Sequence, residues 1–170
     1  MPLKIVAPDF VRVIETRHFC WYDGIMNVSV AAIAVEDGKY FIAKRKSGGS
    51  MGGKWEFPGG KCDEIDCHSS AADGLAQKQT EGCIEALLRE MKEEFDVDVS
   101  VGKKLASGSF ENKGVQHKLY AYAVSFLSKD FKLNDHTEYK WALPSEIEEL
   151  DFTPSDLDLL RAIEFAGAQD

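Results

Sequence analysis

The sequence has little of what marks secreted, membrane-spanning or nucleic-acid-binding proteins. Its 170 residues include only four cysteines, and an intracellular chain of this size has no need of disulfides. No apolar run is long enough to span a membrane, and the start MPLKIVAPDF lacks the basic, apolar and small-residue sections of a signal peptide. Lysine and arginine number 20 against 29 acidic residues, and the net charge of −9 disfavours DNA or RNA polymers as partners. We therefore expect a cytoplasmic protein that binds neither a membrane nor a nucleic acid polymer.

What the sequence does have is the composition of an ordinary globular domain. Hydrophobic residues make up 44% and charged residues 29%, and 170 residues suffice for one domain with a sizeable core. The acidic balance still permits a small anionic substrate where metal ions and a local basic cluster offset the negative field. Such a cluster is present, and it consists of Lys44, Arg45, Lys46, Lys54 and Lys61.

Hydrophobic periodicity predicts a mixed α/β layered domain. Residues 27–35 have a buried-strand pattern, Glu36-Asp37-Gly38 signals a hairpin turn, and residues 39–45 follow as the partner strand. A helix over residues 81–95 is predicted to begin at Thr80, whose hydroxyl suits the N-cap position. The remaining elements are two strands over 97–111 and 117–127, a short helix near 144–150 and a final helix over 152–165.

Two segments fall outside this pattern. Residues 1–24 are predicted to be an N-terminal extension or arm, so the main domain spans residues 25–170. Residues 62–80 are polar, small and irregular, which indicates a loop insertion on the surface. The sequence assigns no role to residues 1–24, whereas Cys62, Cys67 and Cys83 in and beside the insertion leave a partner-binding or redox element as an open alternative.

The stretch SGGSMGGKW contains Gly48, Gly53 and Lys54 at the spacing of a phosphate-binding P-loop. A P-loop requires Ser or Thr after the lysine, and here Trp55 follows. A P-loop also opens into a helix, which Pro58 and two glycines prevent. The stretch is therefore interpreted as a flexible loop between two strands.

Three cysteines and a histidine raise the question of a zinc site. Cys62, Cys67 and His68 lie close together in the chain, and Cys83 would be a fourth ligand. The spacing is not the usual C-x-x-C, so thiols without a metal are the default interpretation.

Residues 81–95, placed on a helix, have an apolar face and an acidic face. The acidic face carries Glu90, Glu93 and Glu94 at i+3 and i+4 spacings. Taken alone, these glutamates fit a solvated surface equally well. Beside a cleft, however, two carboxylates near 4 Å repel by about 4 kcal/mol and need a counter-ion, for which oxygen ligands select magnesium or manganese. The apolar face, which we expect to be buried, consists of Ile84, Leu87, Leu88, Met91 and Phe95.

The run PGGK, followed by Glu81, seven residues and then REMKEEFDV, resembles the signature of the Nudix hydrolase family, G-x5-E-x7-R-E-U-x-E-E-x-G-U. This resemblance implies an α/β/α sandwich with a mixed β-sheet. Twenty residues separate Gly60 from Glu81 where the signature has five, and a loop insertion of this kind costs little closure entropy. Asp96 stands where the signature has a glycine with positive φ, a conformation that Asp tolerates better than most residues.

WEFPGGK and FTPSDLDLL are most similar to the MutT-like branch of the family. This resemblance implies Mg²⁺-dependent hydrolysis of a nucleoside triphosphate, an oxidised purine or cytidine nucleotide, to the monophosphate and pyrophosphate, with Mn²⁺ as an alternative ion. Two alternatives are a Nudix hydrolase of a dinucleotide or nucleotide sugar, and a Nudix-shaped binding module without activity. We expect a monomer or homodimer whose partner is the nucleotide.

The resemblance also implies roles for individual residues. The metal ligands would be Glu90, Glu93, Glu94, the carbonyl of Gly59 and Asp135, with Glu90 as ligand or general base. Asp135 has the spacing from Trp141 that the branch shows; Glu138 is the neighbouring candidate, and an ordinary turn residue is the alternative. Arg89 and Glu81 would pair and hold the loop against the helix. The substrate-binding residues would be Arg45, Phe57 and Asp156. Phe57 either stacks on the base or packs in the core. Asp156 either reads the edge of the base or is an ordinary acidic residue that the helix dipole favours.

Overall fold

The computed structural model describes residues 4–5, 26–62, 75–112 and 114–168. Nine strands and three helices lie within these ranges. None of these helices has the length and apolar character that crossing a membrane requires. The strands are β1 Lys4–Ile5, β2 Met26–Ile33, β3 Val35–Glu36, β4 Lys39–Arg45, β5 Trp55–Glu56, β6 Gly59–Lys61, β7 Val99–Asn112, β8 Val115–Phe126 and β9 His136–Ala142; the helices are α1 Leu75–Phe95, α2 Pro144–Glu148 and α3 Pro154–Gly167.

The described strands form two sheets. The first has five strands in the order β1-β7-β8-β2-β6, and it is mixed because β2 runs parallel to β8 and antiparallel to β6. The second is antiparallel, with β4 pairing with β9 on one edge and with β3 and β5 on the other. The mixed sheet predicted from the resemblance is confirmed.

Strand β2 lies in the middle of the molecule and is buried on both faces. Val28 and Val30 belong to the apolar cluster that contains α1. Ala31 and Ile33 alternate with them and belong to the cluster that contains α2 and α3. A strand covered by helices on both sides is expected to be apolar at nearly every position, as β2 is. The arrangement is the α/β/α sandwich that the resemblance implies.

The predicted pairing of residues 27–35 with residues 39–45 is wrong for most of its length. Both edges of β2 are occupied in the first sheet, by β8 and β6. The chain therefore leaves that sheet at Ala34, and only Val35–Glu36 pairs with β4. The turn itself is confirmed, since Asp37 and Gly38 have φ values of 50° and 73°, as a two-residue hairpin turn requires.

Helix α1 is longer than predicted. It begins at Leu75, so Thr80 lies inside the helix and the predicted N-cap is wrong. The helix also takes in the end of the predicted 62–80 insertion, of which residues 63–74 lie outside the described ranges. Leu88 was expected in the core but is 40% exposed. Leu87, Met91 and Phe95 follow one another at i+4 and complete the buried stripe, and Leu88 is turned about 100° away from it.

Three other predictions have a direct structural outcome. The connection from Arg45 to Trp55 is a loop with positive φ at Gly48, Gly49 and Gly53, followed by strand β5, so the loop interpretation is confirmed. Asp96 follows the last residue of α1 with φ 54°, as expected. Of residues 1–24, only Lys4–Ile5 is described, and it forms a strand at the edge of the first sheet.

Candidate active site

A cavity of about 670 Å³ opens between β2, the β4–β5 loop, β6, α1 and the start of α3. It is large enough for a mononucleotide, since ligand sites of about 300–1,000 Å³ are usual. Its lining combines many charged side chains with apolar ones such as Val30, Phe57 and Leu119. Its ionisable side chains are Arg45, Lys46, Glu56, Lys61, Glu90, Glu94, Asp135, His136 and Asp156.

Glu94 is the most buried of the carboxylates predicted to bind metal, with 7% of its surface exposed. The backbone N–H of Gly59 donates to its Oε2 atom over 3.1 Å. Gly59 has φ 147°, and a Cβ at this position would fall 2.0 Å from the carbonyl oxygen of Val30, so no larger residue fits. Burial and, after it, the charge of the neighbouring Glu56 raise the pKa of Glu94 to about 9. A carboxylate buried among like charges is stabilised by a cation.

Arg89 ties the acidic face of α1 to strand β6. It donates to Glu90 Oε1 over 3.0 Å and to the carbonyl of Lys61 over 3.0 Å, and it lies 3.5 Å from the carboxylate of Glu93. Glu90 lines the cavity, whereas the side chain of Glu93 is 58% exposed. Glu81 is exposed about two turns earlier on the same helix, and its pairing with Arg89 stays a prediction. Arg89 holds the helix against β6 through the carbonyl of Lys61.

Two residues of the site, Glu56 and His136, were not predicted from the sequence. Glu56 accepts from Arg45 Nη1 over 2.7 Å through one oxygen, and its other oxygen lies 2.9 Å from His136 Nε2. Glu56 and His136 are both buried, and the His136 ring stacks on Phe95. The signals that could have found them are a carboxylate inside the apolar run WEFP and a histidine directly after Asp135.

The loop before β9 is held by the end of α1. The N–H of Lys132 donates to the carbonyl of Phe95 over 2.9 Å, and the N–H of Asn134 donates to that of Glu94 over 3.0 Å. The last carbonyls of a helix have no partner within it, and this loop supplies partners. The docking brings Asp135 to the cavity. Glu138 is instead paired with Lys44 over 3.0 Å at the surface.

Phe57 and Asp156 also line the cavity. Phe57 is 3% exposed and contacts the rings of Tyr40 and Phe152, so its ring packs in the core while it also lines the cavity. Its backbone N–H donates to Asp156 Oδ2 over 2.9 Å. Asp156 is buried in the first turn of α3, and burial, followed by the charge of Glu56, raises its pKa to about 7. The contact with the Phe57 backbone is a role that the sequence did not predict.

The acidic groups that line the cavity, together with His136, could hold a divalent cation. Glu56, Glu94 and His136 each offer a ligand atom within 4.8 Å of the others, and Glu90 and Asp135 add negative charge around Glu94. Carboxylates suit Mg²⁺ and Mn²⁺, and an imidazole is a common ligand of transition metals. Arg45 is bonded to Glu56 and Arg89 to Glu90, so among these described groups the four carboxyl groups Glu56, Glu90, Glu94 and Asp135 outnumber the two arginines.

Comparisons with known proteins agree with this fold. A family profile for the NUDIX domain matches residues 29–162. The CTP pyrophosphohydrolase of Escherichia coli (strain K12) is 32% identical over 133 residues, which cover 78% of this chain and 87% of that protein. The 8-oxo-dGTP diphosphatase of Proteus vulgaris is 33% identical over 75 residues, 44% of this chain and 54% of that protein. The solution structure of the E. coli ORF135 protein has a TM-score of 0.65 at 30% identity, and the match covers 85% of this chain and 93% of that one. Since the profile spans most of the sequence, the chain belongs to the NUDIX domain family and is a Nudix hydrolase.

Proposed function

We propose that this protein hydrolyses a nucleoside triphosphate to the monophosphate and pyrophosphate in a Mg²⁺-dependent reaction, with an oxidised purine or a cytidine nucleotide as substrate. The observation that carries the proposal is that one cavity is lined both by an acidic cluster beside Arg45, here called the acidic part, and by Phe57 and Asp156, here called the apolar part. The relatives named for CTP and 8-oxo-dGTP hydrolysis support the same substrate class.

The acidic part would hold the metal and the phosphates. Glu90 and Glu94 would be ligands from within the cavity, with Glu93, the Gly59 carbonyl and Asp135 completing the predicted set. Glu56 and His136 add donors to it. When bound, Mg²⁺ neutralises phosphate charge and lowers the pKa of an attacking water.

The basic side chains of this part would orient the phosphates. Arg45 is fixed by Glu56 and still has donors to offer, because a guanidinium carries five N–H groups. Lys46 and Lys61 lie on the same lining and add positive charge. These cations offset the acidic field that would otherwise repel a triphosphate.

Glu90 would accept the proton of the attacking water. Its carboxylate faces the cavity and is held by Arg89, which limits its rotation. The water oxygen would bond to phosphorus as the bridging P–O bond between the α- and β-phosphoryl groups breaks, and pyrophosphate would leave. A second role, as a metal ligand, is equally consistent with this position.

At the apolar part, Phe57 would contact the base and Asp156 would read its polar edge. Because Asp156 Oδ2 already accepts the Phe57 N–H, its Oδ1 atom is the one that can meet a base. A base that offers an N–H or amino donor would satisfy that oxygen. Location in the cytoplasm and a monomeric or homodimeric state stay predictions from the sequence.

The test is a panel of nucleotides with and without Mg²⁺, with all phosphorus products identified by ³¹P NMR. The panel contains CTP, dCTP, 8-oxo-dGTP, the unmodified purine triphosphates, a dinucleoside polyphosphate and a nucleotide sugar. We expect monophosphate and pyrophosphate from CTP or 8-oxo-dGTP in the presence of Mg²⁺. Preferred cleavage of the dinucleotide or nucleotide sugar would contradict the proposed substrate class, and no product from any compound would indicate a binding module.

A further inference from the structure

Two cysteines that the proposed reaction does not use lie side by side. Cys62 directly follows β6, Cys83 lies on α1, and their Sγ atoms are 3.8 Å apart. Cys83 is 1% exposed, whereas Cys62 is partly exposed. We propose that Cys62 and Cys83 are a redox-active thiol pair, which forms a disulfide that joins the two ends of the segment 63–82.

The geometry requires only a small movement. A disulfide has an S–S distance of about 2.05 Å, so the sulfur atoms must approach by roughly 1.8 Å. Both backbones are anchored, since the N–H of Cys62 donates to the Val28 carbonyl over 2.9 Å and Cys83 lies within a helix. The approach can therefore come from rotation of the two side chains together with a slight shift of the β6 end.

The difference in exposure sets an order of events. The thiolate of Cys62 is the one that a small-molecule disulfide can reach, and it would displace one thiol from the oxidant to form a mixed disulfide. The thiolate of Cys83 then attacks the Cys62 sulfur and releases the second thiol. The two protein thiols lose two protons and two electrons, and the oxidant is reduced to two thiols. Because Cys83 is only 1% exposed, we expect it to react with this neighbour before it reacts with a reagent in solution.

The disulfide would sit beside the acidic part of the cavity. Cys83 precedes Glu90 by seven residues and Glu94 by eleven, so all three lie on nearly the same side of α1. On the other side of the bond, Lys61 is already held by Arg89. A covalent link one residue later would fix β6 more firmly against α1 and close a loop in the unfolded chain, which stabilises the fold.

The test uses the Cys20→Ser/Cys67→Ser double variant, which keeps only the proposed pair. After reduction and desalting, the protein is treated with oxidised glutathione, and the remaining thiols are titrated with Ellman's reagent in denaturant. We expect both thiols to disappear, a peptide map that links Cys62 to Cys83, and a thermal midpoint raised by about 5–10 °C. Dithiothreitol should reverse all three changes.

Two further variants in this background test the order of events. With Cys83→Ala we expect a stable glutathione adduct on Cys62, and with Cys62→Ser we expect Cys83 to stay unmodified. In the parent chain, the linked peptides should again be those of Cys62 and Cys83 although Cys67 is present. Two titratable thiols after oxidation, a disulfide between chains, or a link from Cys67 to either cysteine would overturn the proposal.

Discussion

The two parts of the cavity are held in place by different forces. The acidic part consists of charged groups that hold one another, with Glu56 between Arg45 and His136 and with Arg89 between Glu90 and Lys61. The apolar part is held by packing, with the Phe57 ring against Tyr40 and Phe152. A single carboxyl group, Asp156, carries the polar contact there.

This difference predicts different sensitivities. In the acidic part, removing one charge changes the field at every other group, because interactions between charges are strong away from water. In the apolar part, the packing of the Phe57 ring involves no charge, so a change there should stay local, whereas Asp156 is coupled to the acidic part through the charge of Glu56. The four predictions that follow test this contrast, from the largest expected effect to the smallest.

The largest effect is expected at Glu94. Glu94→Gln keeps an oxygen that can accept the Gly59 N–H but removes the charge, so the fold should persist while turnover falls by about 10²–10³-fold, as for other groups that stabilise a transition state electrostatically. The measurement is kcat with the best nucleotide of the panel. Glu85→Gln, an exposed site on the same helix, should leave kcat unchanged. Equal kcat values of the two variants would show that Glu94 does not contribute to turnover.

The next effect concerns the pH dependence of stability at Asp156. Its pKa of about 7 lies above the ordinary value of 3.8, so the folded state binds a proton more tightly than the unfolded state does. The stabilisation is therefore complete below about pH 4 and is lost as the pH rises to 7. Between pH 5 and pH 7 this amounts to about 2–3 kcal/mol, at about 1.4 kcal/mol per pH unit.

Asp156→Asn removes the titrating group and keeps an oxygen for the Phe57 N–H. The free energy of unfolding of the variant should therefore fall less between pH 5 and pH 7 than that of the parent chain. Urea denaturation at both pH values measures the difference. Glu94 is present in both proteins, so its own titration cancels. Parallel pH profiles would show that Asp156 is already ionised at pH 5.

A smaller loss, in kcat/KM, is expected when Glu56 is changed. This variant tests whether Glu56 belongs functionally to the acidic part. Glu56→Gln removes the charge that holds Arg45 and His136 but keeps the shape of the side chain. Hydrogen bonds to charged groups contribute about 1.5–3 kcal/mol, so kcat/KM should fall by about 10–100-fold. Glu138→Gln breaks an exposed ion pair with Lys44 and should change kcat/KM by less than about 2-fold. If both variants behave alike, Glu56 is only a structural residue.

The sequence predicted the parts of the site that lie close together in the chain. Glu90 and Glu94 share a helix face with a spacing that any helix imposes, and PGGK precedes them in a recognisable pattern. It missed Glu56 and His136 because they meet only through pairing of distant strands. In that pairing, β4 places Ala43 opposite Glu56 and Arg45 opposite His136.

The errors in the helix have a similar origin. Thr80 is a good N-cap residue, but the preceding residues continue the helix to Leu75. A local propensity of about 1 kcal/mol is easily overridden by the contacts of a whole segment. Leu88 is apolar, yet its position is set by the stripe that Leu87, Met91 and Phe95 bury. Composition thus identified the helix, and packing determined its start and its faces.

The smallest effect, in KM, is expected at Lys46 and should distinguish it from Lys54, the other lysine compared in the β4–β5 loop. Lys46 lines the cavity and donates to the Asn134 carbonyl, whereas Lys54, the lysine of the P-loop-like spacing, is paired with Asp151 and is not among the lining residues. An exposed cation contributes little to binding, so Lys46→Gln should raise KM by about 2–5-fold, and the difference should shrink as salt screens it. Lys54→Gln should leave KM unchanged. Steady-state kinetics at low and high ionic strength measure both, and a larger effect from Lys54 would mean that the phosphates lie along the glycine-rich loop after all.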